Sequence, residues 1–176
     1  MNEYIVKIKS YSYLINIFMF IFKVIIFLVT KSYSILISSF YNLTIGFAKK
    51  KIYSNNNYNY VSFMVILASL CFIVYSILVI TQHKMVNYNL YNGLLVATVS
   101  FFDIGYSIYG IVKSKGKNKQ LHTLKLVSLA TSLISLQLTQ SAILSFTQVG
   151  IDNSLYNGLI GILVGIGALI IGLVIK

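Results

Sequence analysis

The chain of 176 residues is 57% hydrophobic and only 10% charged, with a mean hydropathy of +0.83. A soluble domain has about a quarter of its residues charged, so a water-soluble globule, a disordered chain and a disulfide scaffold are excluded. The net charge of +11 arises from 14 lysines against three acids. Because these lysines cluster between apolar runs, they indicate membrane topology and not nucleic-acid binding. We therefore expect an all-α fold, a polytopic integral membrane helical bundle.

Residues 1–48 are predicted to be an amphipathic membrane segment of one long or two helices. Polar side chains recur at helical spacing within about a third of the helical wheel, at Lys9, Ser12, Asn16, Lys23, Thr30, Lys31, Ser34, Ser38, Asn42 and Lys49. A continuous helix of this length would measure about 60 Å, twice the hydrocarbon thickness of a bilayer. The segment is expected either to lie partly in the interface with its lysines toward headgroups or to break near Thr30–Ser32 into a hairpin. A single span is the third alternative.

Residues 49–59 are predicted to form a cytoplasmic loop rich in Lys and Asn. Crossing a bilayer takes about 20 apolar residues, and four later runs meet this, namely Tyr60–Ile80, Leu90–Val112, Leu124–Phe146 and Tyr156–Ile175. The loops between them alternate between Lys-rich and Lys-poor, and Lys-rich loops stay in the cytoplasm. We expect a multi-pass protein of the cell membrane with both termini cytoplasmic. Its Lys-rich loops are expected to attract anionic inner-leaflet lipids.

The string Leu-Tyr-Asn-Gly-Leu occurs twice, at residues 90–94 and again 65 residues later at 155–159. The same shift superimposes the apolar run that precedes each copy. We expect residues 60–176 to be a four-helix membrane domain built by tandem duplication from two hairpins, 60–112 and 124–176. A third, degraded copy around Phe40–Leu43 would bring the total to six helices.

Asp103 lies close to the middle of its predicted span. An ionised carboxylate at that depth costs about 2.5–3.5 kcal/mol on insertion scales, so it must face protein or water or be protonated. A functional interpretation makes it an ion or proton relay or a substrate-binding carboxylate. A structural interpretation makes it a buried acid that fixes helix packing, with Lys23 or Lys31 as its partner.

The next predicted span has two polar sides. Small polar residues and one alanine share one face, namely Ser128, Thr131, Ser132, Ser135, Thr139 and Ala142. Gln137 and Gln140 lie on the other side, and an amide that faced lipid would stay without a hydrogen-bond partner. Their expected partners are Asp103, a neighbouring subunit or a substrate. These two glutamines, Asp103 and Lys23 are therefore the candidate residues of a substrate or ion pathway.

Small residues form one face of the last predicted span, at Gly158, Gly161, Gly165, Ala168 and Gly172. Small residues four apart let two helix backbones approach closely. The expected neighbour is either the helix that carries Asp103 or a second copy of the chain, which would make a homodimer.

The sequence has no motif of an enzyme or of a cofactor site. His83 and His122 fall at opposite faces of the predicted membrane domain, so no metal site is expected. We therefore predict no catalysis and consider two functions. The first is a small bacterial transporter or channel-like protein that conducts ions or small solutes past Asp103, and it predicts a hydrated cavity. The alternative is a non-transporting structural or accessory protein (a complex subunit or an immunity-type protein), and it predicts a dry core.

Overall fold

The computed structural model describes residues 2–83, 88–113, 119–147 and 152–175. Within these ranges the chain is helical and has no strand. The helices are α1 (Asn2–Thr30), α2 (Tyr33–Asn55), α3 (Tyr58–Thr81), α4 (Leu90–Lys113), α5 (Lys119–Thr147) and α6 (Ser154–Val174). The four predicted apolar runs correspond to α3, α4, α5 and α6, so the all-α prediction is confirmed.

Four of the helices contain a stretch that is long and apolar enough to cross a membrane, which suggests a membrane-spanning protein. These stretches are Tyr13–Thr30, Tyr58–Thr81, Lys119–Ser145 and Ser154–Val174. Three of them were predicted, and the fourth lies in the N-terminal segment. The predicted span Leu90–Val112 is not among them within the described residues.

The N-terminal segment folds as a helical hairpin. α1 ends at Thr30, α2 begins at Tyr33, and the two helices pack along each other. The turn between them includes Lys31 in the left-handed region, with φ of 53°, and this conformation reverses the chain without a glycine. Of the arrangements expected from the sequence, the break near Thr30–Ser32 is therefore the observed one.

The polar stripe of this hairpin faces the protein interior. Its buried members are Asn16, Lys23, Ser34, Ser38, Asn42 and Lys49, and the outer surface exposes Leu14, Phe18, Ile21, Ile25, Phe40 and Phe47. The prediction that the lysines of the stripe face lipid headgroups is therefore wrong for Lys23 and Lys49. The physical reason is that hydrocarbon offers polar groups no hydrogen bonds, so they are satisfied inside the protein.

The predicted loop 49–59 is mostly helical, which corrects its assignment. α2 continues to Asn55, and only Asn56 and Asn57 separate it from α3. Asn56 adopts the left-handed conformation with φ of 51°, which asparagine tolerates better than most residues. The Asn57 side chain then caps α3 by accepting a hydrogen bond from the Tyr60 backbone N–H at 3.0 Å. The lysines of this segment are thus helical, and Lys49 is buried.

The four C-terminal helices pair across the two predicted hairpins. α3 packs mainly against α6 and α4 mainly against α5, and α5 also contacts α6 and α2. Among the described residues, α3 and α4 do not form a closely packed pair. α5 is the most buried of the four apolar spans. It is therefore the central helix, which explains why its polar residues do not face lipid.

The small residues of α6 lie against α3. A Cβ atom added to Gly158 would lie 2.8 Å from the Ser76 carbonyl oxygen, and one added to Gly165 would lie 2.5 Å from Cγ1 of Ile73. Gly161 packs on Ser76, Ala168 is fully buried, and the Ser62 hydroxyl donates to the Gly172 carbonyl at 2.7 Å. The helix of Asp103 is therefore the wrong partner for this face. A homodimer through this face stays a prediction.

Candidate functional site

Asp103 lies inside the bundle and is ion-paired. Its Oδ2 atom accepts hydrogen bonds from Lys23 Nζ at 3.0 Å and from Ser135 Oγ at 2.6 Å. The Lys23 and Asp103 side chains are only 2% and 8% exposed. Of the two expected lysine partners, Lys23 is the one that makes this contact, whereas Lys31 is exposed.

Ser38 completes the surroundings of the Lys23 ammonium group, which donates to Ser38 Oγ at 3.0 Å. We call Lys23, Ser38, Asp103 and Ser135 the central polar cluster. Each of its residues belongs to a different helix, in the order α1, α2, α4 and α5. Among the described residues α1 packs extensively on α2 alone, so the long Lys23 side chain connects α1 directly to the body of the bundle.

The central polar cluster is closely packed. Charge-assisted hydrogen bonds of this kind are the stronger ones in proteins, and they offset the cost of removing both ions from water. A hollow of about 10 Å³ lies beside Lys23, lined mostly by apolar side chains that include Ile26, Val99 and Leu138. Such a space has room for about one water molecule. The geometry therefore stabilises a fixed ion pair.

A second buried lysine lies in the α1–α2 hairpin. Lys49 Nζ donates to Asn16 Oδ1 at 3.0 Å, and both side chains are buried. No carboxylate of the described residues contacts it. Asn16 and Lys49 both belong to the predicted polar stripe, although no contact between them was predicted. Their contact could have been predicted from the sequence, because a turn at residues 31–32 brings positions 16 and 49 opposite each other in the hairpin.

Gln137 and Gln140 make no hydrogen bond to Asp103, so of their three expected partners Asp103 is not the one observed. Gln137 Nε2 donates to Ser141 Oγ at 2.9 Å, and Ser141 in turn donates to Asn157 Oδ1 at 3.0 Å. The side-chain oxygens of both glutamines are buried without a hydrogen-bond partner. Of the four candidate residues, Lys23 and Asp103 therefore contact each other, whereas Gln137 lies toward α6.

The histidines lie at the periphery. His83 Nδ1 is 2.9 Å from Asp152 Oδ2, and this exposed contact joins the end of α3 to the start of α6. His122 is exposed near the start of α5. In the described part of the chain, no group of three or more His, Cys, Asp or Glu residues could hold a metal ion.

Asp152 is expected to make stability dependent on acid pH. Hydrogen bonds from Ser154, followed by His83, lower the pKa of Asp152 from 3.8 to about 2. Because this pKa is lower in the folded state, the carboxylate stabilises the fold above about pH 4, and its contribution is lost as the pH falls toward 2. We expect Asp152→Asn to flatten the melting temperature against pH in this window, and His83→Gln to have a smaller effect. Curves of identical shape for the wild type and Asp152→Asn would contradict this assignment.

No family model matches the chain, and comparisons with curated proteins and with solved structures found no match. The function is therefore inferred from the geometry of the buried polar residues.

Proposed function

We propose that the protein is a multi-pass membrane protein with a structural or accessory role, such as a complex subunit or an immunity-type protein, and that it does not transport solutes. This proposal rests on one observation, which is that Asp103 is buried and held in an ion pair with Lys23. Its Oδ2 is already bonded to Lys23 and Ser135, whereas a transport carboxylate must exchange its partners for water or solute. The hollow next to Lys23 has room for about one water molecule, which is too little for a hydrated ion or a solute.

The distribution of side chains favours all six helices crossing the bilayer. The buried set includes many Ser, Thr, Asn and Gln residues, whereas large hydrophobic side chains such as Phe63, Phe102 and Leu163 are exposed. This is the reverse of a water-soluble fold and suits a lipid surround. α2 and α4 have 23 and 24 residues, or about 35 Å of helix. This length is enough for both helices to cross the hydrocarbon core of a bilayer beside α1 and α5.

The two ends of the bundle differ in charge. One end carries Lys50, Lys51 and Lys119, and the ammonium groups of Lys51 and Lys119 lie 5.9 Å and 4.8 Å from the ring centroids of Tyr60 and Tyr58. The opposite end carries Lys31, His83 and Asp152 among the described residues. We place the basic end, with both chain termini, in the cytoplasm. There its lysines would contact anionic lipid headgroups, and the tyrosines would lie at headgroup level.

Tandem duplication accounts for the way the four C-terminal helices pair. A shift of 65 residues forward takes α3 onto α5, and the same shift backward takes α6 onto α4, so the α3–α6 pair corresponds to the α5–α4 pair. These are the two most extensive helix contacts. Equivalent positions of α4 and α6 are buried alike, at Gly93 and Gly158, Ser100 and Gly165, Asp103 and Ala168, and Ser107 and Gly172. The residue equivalent to Asp103 in the second hairpin is therefore an alanine, Ala168. This favours a structural role in holding α1.

A flux assay with purified protein in liposomes tests the accessory role. Wild-type protein and Asp103→Asn are both expected to leave proton, Na⁺ and K⁺ flux at the level of empty liposomes. An added ionophore confirms that the vesicles are intact and hold a gradient. Flux in the wild type that is lost in Asp103→Asn would overturn the proposal in favour of transport, and equal flux in both proteins would overturn it as well.

Transport of ions or small solutes is the second candidate function. It is favoured by the buried oxygens of Gln137 and Gln140, which have no hydrogen-bond partner in the protein. In that case a pathway would pass these glutamines and require the Lys23–Asp103 pair to open. The same flux assay distinguishes the two functions, because only transport requires Asp103 for movement of solute.

A further inference from the structure

The α1–α2 hairpin carries polar groups that oppose its insertion into a membrane. α2 is described over its whole length and is not among the helices apolar enough to span a bilayer. Its buried residues include Ser34, Ser38 and Lys49. In α1, Lys23 lies near the middle of the apolar stretch Tyr13–Thr30. A lysine at the centre of a spanning helix is among the least favourable residues for insertion, so the hairpin depends on partners outside itself.

Helices α3 and α4, with the residues just before α4, supply these partners at two depths. In the middle of the bundle, Lys23 Nζ donates to Asp103 Oδ2 of α4 at 3.0 Å. At the turn of the hairpin, two serine hydroxyls each pair with a tyrosine hydroxyl, Ser34 with Tyr75 at 2.6 Å and Ser32 with Tyr88 at 2.7 Å. The dependence is mutual, because Asp103 without the hairpin would lose its cation inside the membrane.

We propose that the α1–α2 hairpin is a conditional part of the membrane fold, which crosses the bilayer only while Lys23 is paired with Asp103. Without this pair, the hairpin stays at the cytoplasmic face as an amphipathic segment. Exposed apolar side chains such as Phe18 and Ile25 then enter the interface, and the lysines reach the headgroups. The interfacial segment and the hairpin, both expected from the sequence, are thus two states of the same residues.

The position of Lys31 distinguishes the two states. α2 is connected to α3 by Asn56 and Asn57 alone, at the basic end of the bundle. When α2 crosses the membrane, Lys31 and Asn56 lie on opposite sides of it, and when α2 does not cross, they lie on the same side. This inference rests on the proposed crossing of all six helices and on the placement of the basic end in the cytoplasm.

Cysteine labelling in intact cells with a membrane-impermeant maleimide tests the inference, in a Cys71→Ser background that removes the single native cysteine. Lys31→Cys reports the turn of the hairpin, and Asn89→Cys reports the same end of the bundle just before α4; both positions are exposed. With Asp103 present, both cysteines should be labelled. In Asp103→Leu, labelling at position 31 should fall at least about tenfold, whereas labelling at position 89 should persist. Lys23→Met/Asp103→Leu should restore labelling at position 31, because neither charge remains.

Unchanged labelling at position 31 in Asp103→Leu would overturn the inference, since the hairpin would then cross without its partner. Loss of both labels in that variant would overturn it too, because Asp103 would then be required by the whole bundle. The same holds if the double variant fails to restore the label. Labelling of Lys50→Cys in place of Asn89→Cys with Asp103 present would be a different failure. It would contradict the proposed orientation of the bundle, and the inference with it.

Discussion

Replacing Asp103 with Asn should destabilise the protein by about 3–5 kcal/mol, the usual cost of breaking a buried ion pair from one side. The Lys23 ammonium group would stay 2% exposed, and its acceptors would be the Ser38 hydroxyl and the neutral carboxamide oxygen of the new side chain. Its charge would then be uncompensated in a region that offers little water. The free energy of unfolding, measured by denaturant titration in detergent micelles, gives this loss directly.

The double variant Lys23→Met/Asp103→Leu is the decisive control for this prediction. Exchanging both ions of a buried pair for apolar side chains of similar volume is often neutral or stabilising, so the double variant should be more stable than Asp103→Asn. Lys50→Met, which alters an exposed lysine of α2, should change stability little. If Asp103→Asn were as stable as the wild type, the ion pair would not be what holds α1 to the bundle.

Gly158→Ala should destabilise the protein by about 1–3 kcal/mol, the usual cost of overpacking a close contact. The added methyl group would overlap the Ile80 side chain and lie 2.8 Å from the backbone oxygen of Ser76. A side chain can rotate away, but a backbone oxygen in the middle of a helix cannot move without shifting α3. The expected consequence is a separation of α3 and α6, measured as a lower unfolding free energy in micelles.

Gly105→Ala, on α4, is the matched control. A Cβ atom there would have no neighbour within 4 Å. The substitution should be neutral or stabilising by up to about 1 kcal/mol, because alanine favours helix more than glycine does. Equal effects of Gly158→Ala and Gly105→Ala would contradict the close approach of α3 and α6.

Hydropathy and helical periodicity were sufficient to predict the helices and one of the turns. α3 to α6 coincide with apolar runs, and the break at residues 31–32 falls where the long N-terminal segment exceeds the thickness of a bilayer. These features depend on residues close together in the chain, which is why they can be predicted locally. Lys23 was likewise predicted as a partner of Asp103, because a buried carboxylate requires a cation and few lysines lie inside apolar segments.

The neighbours of each helix face were decided by tertiary packing. Periodicity identified the small residues of α6 as a contact face, but their partner proved to be α3, where Ser62 and Ser76 provide a matching surface. Ser135 was placed on a packing face without a link to Asp103. The polar stripe of α1 and α2 was assigned to headgroups as one alternative, yet most of its described members, including Lys23 and Lys49, are buried. A helical pattern shows which face is distinctive, whereas its partner depends on side-chain fit between segments far apart in the chain.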